Sequence, residues 1–356
     1  MPGLDGAGVV STAGGGEEGV FVESLAVYRW ARETAGLAAV SLDGLVRPVI
    51  EVCAFYGVVP WRLRPSDVDE YFAGPGRGAV STVRGKMNRL EAYFAFLEHR
   101  YAAQILDRFG VVVCSPVDVF NRPRHRGDFT VRVPPSQAVL GQFFARWRQE
   151  LAGSRKYPLA CRDYVMAKIA YVSGVRAGEL CPVTVGDVGW EQGRWGRFIV
   201  QGKGAGGSGP RPRQAFLFEE GRALLWWYME EVRGRFGDDA TDPRAPLWPS
   251  ERRVPAGALR RPVGPAGFRG ALRTAAAAWM PGPPFAFYPH LLRHACATHH
   301  YERGMSVWEV QRVLGHVWAT TTMRYMAGVH ADPETVNRQA SSRAAERLAA
   351  QWGGHG

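Results

Sequence analysis

Four prolines lie between Ser115 and Pro135, and they divide this sequence into two parts. Proline fixes its φ angle and has no backbone N–H, so such a segment predicts neither a helix nor a strand. The segment also carries Arg122, Arg124 and Arg126, which make it basic. The chain has 356 residues, more than one typical hydrophobic core requires. We therefore predict two domains joined by an extended basic linker over residues 113–136.

The part before the linker has the apolar spacing of α-helices from Phe21 to about Phe109. Ser41, Ser66 and Ser81 stand where helix N-caps are expected. One face of the last helix is basic and carries Arg84, Lys86 and Arg89. The pattern predicts a helical domain over residues 20–112. The Gly-rich residues 1–19 before it are expected to be disordered.

The part after the linker predicts a larger unit over residues 137–356 that is also mostly helical. Its helices are interrupted by a strand from Arg197 to Gln201, a Gly-rich turn and a returning strand near Gln214 to Phe218. A last amphipathic helix is predicted from Pro333 to Trp352. The fold class is therefore mainly α with one small antiparallel β-hairpin, an α+β arrangement.

The charge of the chain points to an acidic partner. Its formal net charge is +11 and its pI is about 9.7. A strongly basic protein often carries a surface for a polyanion, and nucleic acid is the commonest one. Each basic cluster is also consistent with an ordinary solvated surface, so charge alone leaves both interpretations open.

Other function classes are disfavoured by what the sequence lacks. No apolar stretch is long enough to span a membrane, and the N-terminus has no basic segment before an apolar core. We therefore expect a cytoplasmic protein without a membrane partner. The five cysteines are scattered without a CxxC pair, which disfavours a disulfide framework or a structural zinc site.

Two short segments of the second part place cations where they can bind an anion. In Gly174-Val175-Arg176, followed by a helical pattern, the arginine stands at a turn that enters a helix, and Glu179 is placed to brace it. In the segment from Pro289 to His294, His290 and Arg293 are three residues apart and share a helix face. Arginine offers a planar fork to an oxyanion, and histidine offers a titratable donor.

Two further segments follow near the C-terminus. Leu314-Gly315-His316 places a histidine directly after a helix end, and Tyr325 comes nine residues later. Alone, Arg176 is more simply a surface arginine and Tyr325 a core aromatic. The four segments in this order are the informative feature.

Together they resemble the catalytic domain of the tyrosine recombinase (phage integrase) family. That family has an arginine in a Gly-x-Arg-x-x-Glu-Leu context, a hairpin lysine, His-x-x-Arg, Leu-Gly-His and a nucleophilic tyrosine. The matching residues here, in chain order, are Arg176, Lys203, His290, Arg293, His316 and Tyr325. Lys203 lies in a long Gly-rich turn, but no other lysine follows Lys168. The resemblance covers residues 137–345, and residues 21–110 match only in kind, as a helical DNA-clamping domain.

The resemblance implies a site-specific recombinase that cuts and rejoins DNA through a 3′-phosphotyrosine formed by Tyr325. Arg176, Arg293 and His316 are then expected to bind the phosphate oxygens. Lys203 is expected to protonate the leaving 5′ oxygen, and His290 to assist proton transfer. No metal, ATP or other cofactor is implied, since the arginines neutralise the phosphate.

The resemblance implies double-stranded DNA at specific sites, such as those of a mobile genetic element, as the partner. It also implies further copies of the chain, as a tetramer on paired sites. The basic residues expected to contact DNA are Arg84, Lys86, Arg89, Arg122, Arg124 and Arg126. In this family a C-terminal helix often packs into a neighbouring protomer. The helix from Pro333 to Trp352 is equally compatible with covering its own domain.

Three alternatives remain at the level of sequence. A type IB topoisomerase uses the same nucleophile but only relaxes supercoils. A metalloenzyme is suggested by His290 and His294, four residues apart, although no HExxH motif is present. A non-catalytic DNA-binding protein with the same fold is disfavoured by the intact set of six residues.

Overall fold

The computed structural model describes residues 16–37, 39–123, 133–202, 211–252, 254–255, 257–282 and 286–315. Twelve α-helices and three short strands lie within these ranges. This content confirms the predicted fold class, mainly α with a small antiparallel sheet. The described residues form two compact units, one from residue 16 to 123 and one from residue 133 onward.

The first unit contains five helices packed around one core. They are α1 (Glu17–Thr34), α2 (Ala39–Tyr56), α3 (Pro65–Ala73), α4 (Val80–Arg100) and α5 (Ala102–Phe109). The predicted apolar stripe of α4 is buried, with Leu90, Phe94 and Leu97 fully covered. A buried hydrogen bond of 2.6 Å between the hydroxyls of Ser24 and Tyr93 joins α1 to α4.

Three details of the first unit differ from the sequence prediction. Glu17 to Gly19 are helical and so do not belong to the disordered segment predicted for residues 1–19, whose residues 1–15 lie outside the described residues. The serines predicted as N-caps lie inside their helices instead. In α3, for example, Pro65 occupies the first helical position and Asp67 accepts the backbone N–H of Arg64 at 2.8 Å. Proline is pre-organised for that position, so it sets the start one residue before Ser66.

The predicted linker is also shorter than residues 113–136. Val113 and Val117 pack into the core of the first unit. Asn121 donates a side-chain hydrogen bond of 2.9 Å to the carbonyl of Pro116. At the other end, the carbonyl of Pro135 accepts a hydrogen bond of 3.0 Å from Nε2 of His299 in the second unit. Burial of the two valines outweighs the proline content, so residues 113–123 belong to the first unit.

The described part of the second unit contains seven helices and one sheet. The helices are α6 (Gln137–Gln149), α7 (Tyr157–Ser173), α8 (Ala177–Leu180), α9 (Phe218–Glu231), α10 (Pro265–Trp279), α11 (Pro289–Glu302) and α12 (Val307–Leu314). Helix α7 is buried on nearly all sides, and α6, α9, α10 and α11 pack around it. The predicted helices at 319–326 and 333–352 lie outside the described residues.

The sheet is antiparallel, in the order β1 (Val188–Gly189), β2 (Arg197–Gly202) and β3 (Arg211–Phe216). The pairing runs from Arg197 opposite Phe216 to Gly202 opposite Arg211. The hairpin is therefore present, but its returning strand lies earlier than predicted. Pro212 is tolerated because β3 is an edge strand. The sequence did not predict β1, which is too short to show alternation.

Two predicted helices of this unit end early. Helix α8 stops at Leu180 rather than Val183, with Cys181 as its C-cap, because Pro182 has no backbone N–H to continue the helical hydrogen bonds. Helix α9 stops at Glu231, and a short 3-10 helix, Arg233–Phe236, follows. There Arg233 forms a fully buried ion pair of 2.7 Å with Asp238. Within the described ranges, no helix combines the length and apolarity needed to cross a membrane.

Candidate active site

Arg176 lies in a tight turn between α7 and α8. Helix α7 ends at Gly174, whose φ of 64° is a left-handed conformation that favours glycine. Val175 is fully buried, and Arg176 then takes the N-cap position of α8. The side chain of Arg176 keeps 37% of its surface exposed. Its guanidinium is therefore accessible to a ligand.

The carboxylate of Glu179 holds this guanidinium in place. Its Oε1 accepts Nη1 of Arg176 at 2.6 Å, and its Oε2 accepts the backbone N–H of the same residue at 3.0 Å. Burial opposes ionisation of Glu179, but the guanidinium groups of Arg213 and Arg176 hold its pKa below the ordinary value. The carboxylate is therefore charged near neutral pH, and the predicted brace is present.

Arg293, from the middle of α11, is fully buried. Its Nη1 donates to the carbonyl of Gly174, and its Nη2 donates to the carbonyl of Leu314 at 2.8 Å. These two carbonyls stand two residues before Arg176 and two residues before His316. Arg293 thus ties two of the sequence motifs together through their backbones.

His290 lies in the first turn of α11 and is exposed, unlike Arg293. The two residues come from one helix as predicted, but only His290 reaches the surface. The rings of His290 and His294 lie 5.3 Å apart. Across the described ranges, no group of three or more His, Cys, Asp or Glu side chains could hold a metal ion.

Helix α12 ends at Gly315, which has a φ of 64°. This end packs closely on the turn before Arg176. A Cβ added at Gly174 would lie 2.5 Å from Cδ2 of Leu314 and 2.9 Å from Sγ of Cys296. Burial raises the pKa of the Cys296 thiol to about 12, so the thiol stays neutral. Lys203, His316 and Tyr325 lie outside the described residues, and their roles stay predictions.

Sequence reasoning missed Arg213, on β3. Its Nη2 donates to Oε2 of Glu179 at 2.6 Å. The carboxylate of Glu179 therefore accepts hydrogen bonds from two guanidinium groups, those of Arg176 and Arg213. The available signal was the position of Arg213 on the strand that returns from the turn holding Lys203. The returning strand was predicted to begin near Gln214, and Arg213 was therefore left outside it.

The basic residues predicted to contact DNA differ in their surroundings. Lys86 forms an ion pair of 2.7 Å with Glu51, and Arg122 forms an ion pair with Glu91. Within the described part of the first unit, Arg84 and Arg89 have no acidic partner, and Arg89 is exposed. Arg124 and Arg126 lie outside the described residues. Of the set, Arg84 and Arg89 on α4 best fit a surface that is free for phosphate.

Comparison with known families places this site in context. The sequence profile described as the Phage integrase family matches residues 148–331, more than half of the 356 residues. The match includes every segment that contributes to the site. Tyrosine recombinase XerC of Mycobacterium sp. (strain KMS) is 29% identical over 240 residues, which cover 67% of this chain and 71% of that relative.

The fold is similar to those of solved integrases. The integrase of transposon Tn1549, in complex with transposon right end DNA, superposes with a TM-score of 0.58 at 18% identity, over 91% of this chain and 99% of that one. A lambda integrase dimer bound to a core site gives a TM-score of 0.55 at 16% identity, over 87% and 96% of the two chains. These likenesses concern the fold alone. The three named relatives are described as recombinases or integrases.

Proposed function

Because the chain belongs to the phage integrase family, we propose that it cleaves and rejoins DNA at specific sites through a covalent bond to Tyr325. It is a tyrosine-type site-specific DNA recombinase. The observation that supports the chemistry best is the exposed guanidinium of Arg176, held by the buried carboxylate of Glu179. A planar cation held in a fixed orientation at the protein surface suits a phosphodiester oxygen.

In the proposed reaction the phenolate oxygen of Tyr325 attacks the phosphorus of one DNA strand. A 3′-phosphotyrosine ester forms, and the bond to the 5′ oxygen breaks. Arg176 and Arg293 stabilise the charge on the non-bridging oxygens, and His316 donates a further hydrogen bond. Because Arg293 is fully buried with its Nη groups on the carbonyls of Gly174 and Leu314, its contact with the phosphate requires a rearrangement of this site when DNA binds. Lys203 gives a proton to the leaving 5′ oxygen, while His290 assists proton transfer at the exposed start of α11.

Rejoining follows from the same chemistry. The ester conserves the energy of the broken bond, so attack by the 5′ hydroxyl of another strand restores the phosphodiester without ATP. The guanidinium groups supply the positive charge that a metal ion supplies in many other phosphoryl-transfer enzymes. The buried Arg293 also has a structural part, because it anchors the turns that carry Arg176 and His316.

The substrate in this proposal is double-stranded DNA. Arg84 and Arg89 on α4 contact its phosphates, and the net charge of +11 favours the encounter. The chain acts in the cytoplasm of a bacterium, as a tetramer on two paired sites of a mobile element. The likeness in fold to a transposon integrase supports the mobile-element assignment.

Covalent capture tests this function and also supplies a substrate. A library of nicked duplexes with randomised arms is incubated with the chain, and complexes that survive denaturing detergent are collected and sequenced. The nick lets the short cleaved fragment diffuse away, so each cleavage event leaves the chain attached to DNA. We expect a selected duplex that yields a slowly migrating adduct on a denaturing gel.

Tyr325→Phe is the matched variant, because it removes one oxygen atom and keeps the ring. We expect it to bind the selected duplex as the wild type does and to form no adduct. An adduct with Tyr325→Phe would show that another residue is the nucleophile. A wild-type chain that captures no DNA would refute the proposed function.

A further inference from the structure

Arg213 lies at the point where the separate segments of the candidate site meet. Its Nη2 donates to Glu179 at 2.6 Å, and its Nη1 makes a long hydrogen bond of 3.5 Å to the carbonyl of Val313. The first partner belongs to α8, which follows Arg176. The second belongs to the last turn of α12, which precedes His316. One side chain from β3 therefore contacts both segments.

The end of α12 is held by two arginines. Arg213 reaches the carbonyl of Val313, and Arg293 donates to the next carbonyl, that of Leu314. The last carbonyls of a helix have no partner within the helix and carry partial negative charge, so cations there are stabilising. The two arginines thus hold the last turn of α12 in place.

Gly315 brings the backbone of this turn directly onto Arg213. A Cβ at Gly315 would lie 2.6 Å from Cδ and 2.9 Å from Nε of Arg213. The aliphatic part of the arginine therefore packs against the glycine that immediately precedes His316. Because of this contact, a displacement of Arg213 is expected to move the backbone at Gly315.

The surroundings of Arg213 favour a supporting role over direct contact with DNA. Only 15% of its side chain is exposed, compared with 37% for Arg176. Its Nη groups face Glu179 and Val313, and its Nε is buried without a hydrogen-bond partner among the described residues. Arg176 is the more accessible of the two cations that share the carboxylate.

We propose that Arg213 is a positioning residue that locks the Arg176–Glu179 pair of α8 to the Gly315 turn at the end of α12. It sets the distance between Arg176 and the backbone that carries His316, and it keeps Glu179 in the orientation that holds Arg176. This inference rests on the proposed function, since it concerns the geometry of the same cleavage site.

Single-turnover cleavage of the captured nicked duplex tests the proposal. Arg213→Gln removes the charge and the fork while keeping a polar side chain of moderate length. We expect its cleavage rate to fall by roughly 10- to 100-fold, as when orienting partners of other active-site groups are lost. Affinity for the same duplex, measured in the Tyr325→Phe background, is expected to stay unchanged. Arg244→Gln is the control, because it removes the same charge from an arginine whose side chain is 83% exposed.

Two readouts separate positioning from a general loss of structure. If Arg213 acts through Glu179, then Arg213→Gln adds little to the defect of Glu179→Gln, and the two effects are not additive. The guanidinium groups placed against Glu179 belong to Arg176 and Arg213, and losing one raises the pKa of the carboxyl. The acid limb of the cleavage profile of Arg213→Gln should therefore move to higher pH.

Arg213→Lys covers the case in which Arg213→Gln does not fold. Lysine keeps the charge beside Glu179 but cannot reach Val313 at the same time. We expect an intermediate rate with the acid limb of the wild type. A rate equal to that of the wild type for Arg213→Lys, or for a folded Arg213→Gln, would overturn the proposal, and so would additive effects in the double variant. A wild-type chain without any adduct would instead refute the proposed function and the inference together.

Discussion

Replacing Gly174 by alanine tests how tightly the turn before Arg176 is packed. Gly174 combines a left-handed φ of 64° with close neighbours on the side where a Cβ would stand. The new methyl group would lie 2.5 Å from Cδ2 of Leu314 and 2.9 Å from Sγ of Cys296. Both neighbours are buried, so neither can move freely into solvent.

Two effects determine how much unfolding free energy Gly174→Ala is expected to lose. The left-handed conformation costs a residue with a Cβ about 1–2 kcal/mol. Forcing a methyl group into a packed core costs about 1–3 kcal/mol more. Gly237→Ala is the matched control, because Gly237 ends a helix of the same unit with a φ of 77° and has no atom within 4 Å of an added Cβ. We therefore expect Gly174→Ala to lose about 1–3 kcal/mol more than Gly237→Ala, the part due to packing alone.

Urea unfolding of the two variants and the wild type measures this difference. Adduct formation under native conditions adds a functional readout, since Gly174 also offers its carbonyl to Arg293. We expect adduct formation to fall in Gly174→Ala and to be retained in Gly237→Ala. Equal losses of unfolding free energy in the two variants would refute the claim that Leu314 and Cys296 press on this turn.

Three further outcomes follow from particular side chains. Arg176→Lys should bind the captured duplex in a gel-shift assay but lose most cleavage, because a point charge cannot replace the planar fork; cleavage at the rate of the wild type would contradict this. Arg233→Met should lose about 3–5 kcal/mol of unfolding free energy at pH 7, because it leaves the buried carboxylate of Asp238 without its positively charged partner. A loss no larger than that of Arg244→Gln would contradict it. Burial opposes ionisation of Asp238, but Arg233 holds its folded pKa below the ordinary value. The wild type should therefore be more stable than Asp238→Asn at neutral pH, and this difference in unfolding free energy should shrink as the pH falls below about 4. A difference that grows in acid would contradict the lowered pKa of Asp238.

Much of the fold was predictable because its signals are local. The buried stripe of α4 repeats at helical spacing, and the hairpin is marked by two short segments around a Gly-rich turn. Errors arose where a neighbouring residue changed a boundary. Pro65 moved a helix start and Pro182 ended a helix, and buried Val113 and Val117 drew residues out of the predicted linker.

The candidate site was likewise predictable where its signals lie close together along the chain. The order of Arg176, Lys203, His290, Arg293, His316 and Tyr325 identified the family, because a motif is a property of the linear chain. The ion pair between Arg176 and Glu179 was also predictable, since the two residues are three positions apart within one helical turn. The roles of Lys203, His316 and Tyr325 remain predictions from that order.

The sequence by itself therefore determined the helical character, the hairpin, and the family to which the four segments around Arg176 and Tyr325 point. Only the tertiary structure decided that Arg293 is buried between the carbonyls of Gly174 and Leu314, and that Arg213 shares the carboxylate of Glu179. The physical reason is distance along the chain. Arg293 and Gly174 are 119 residues apart, and Arg213 and Glu179 are 34 apart. Residues so far apart cannot be paired from local sequence periodicity. They come together only when α7, α11, α12 and the sheet pack against one another.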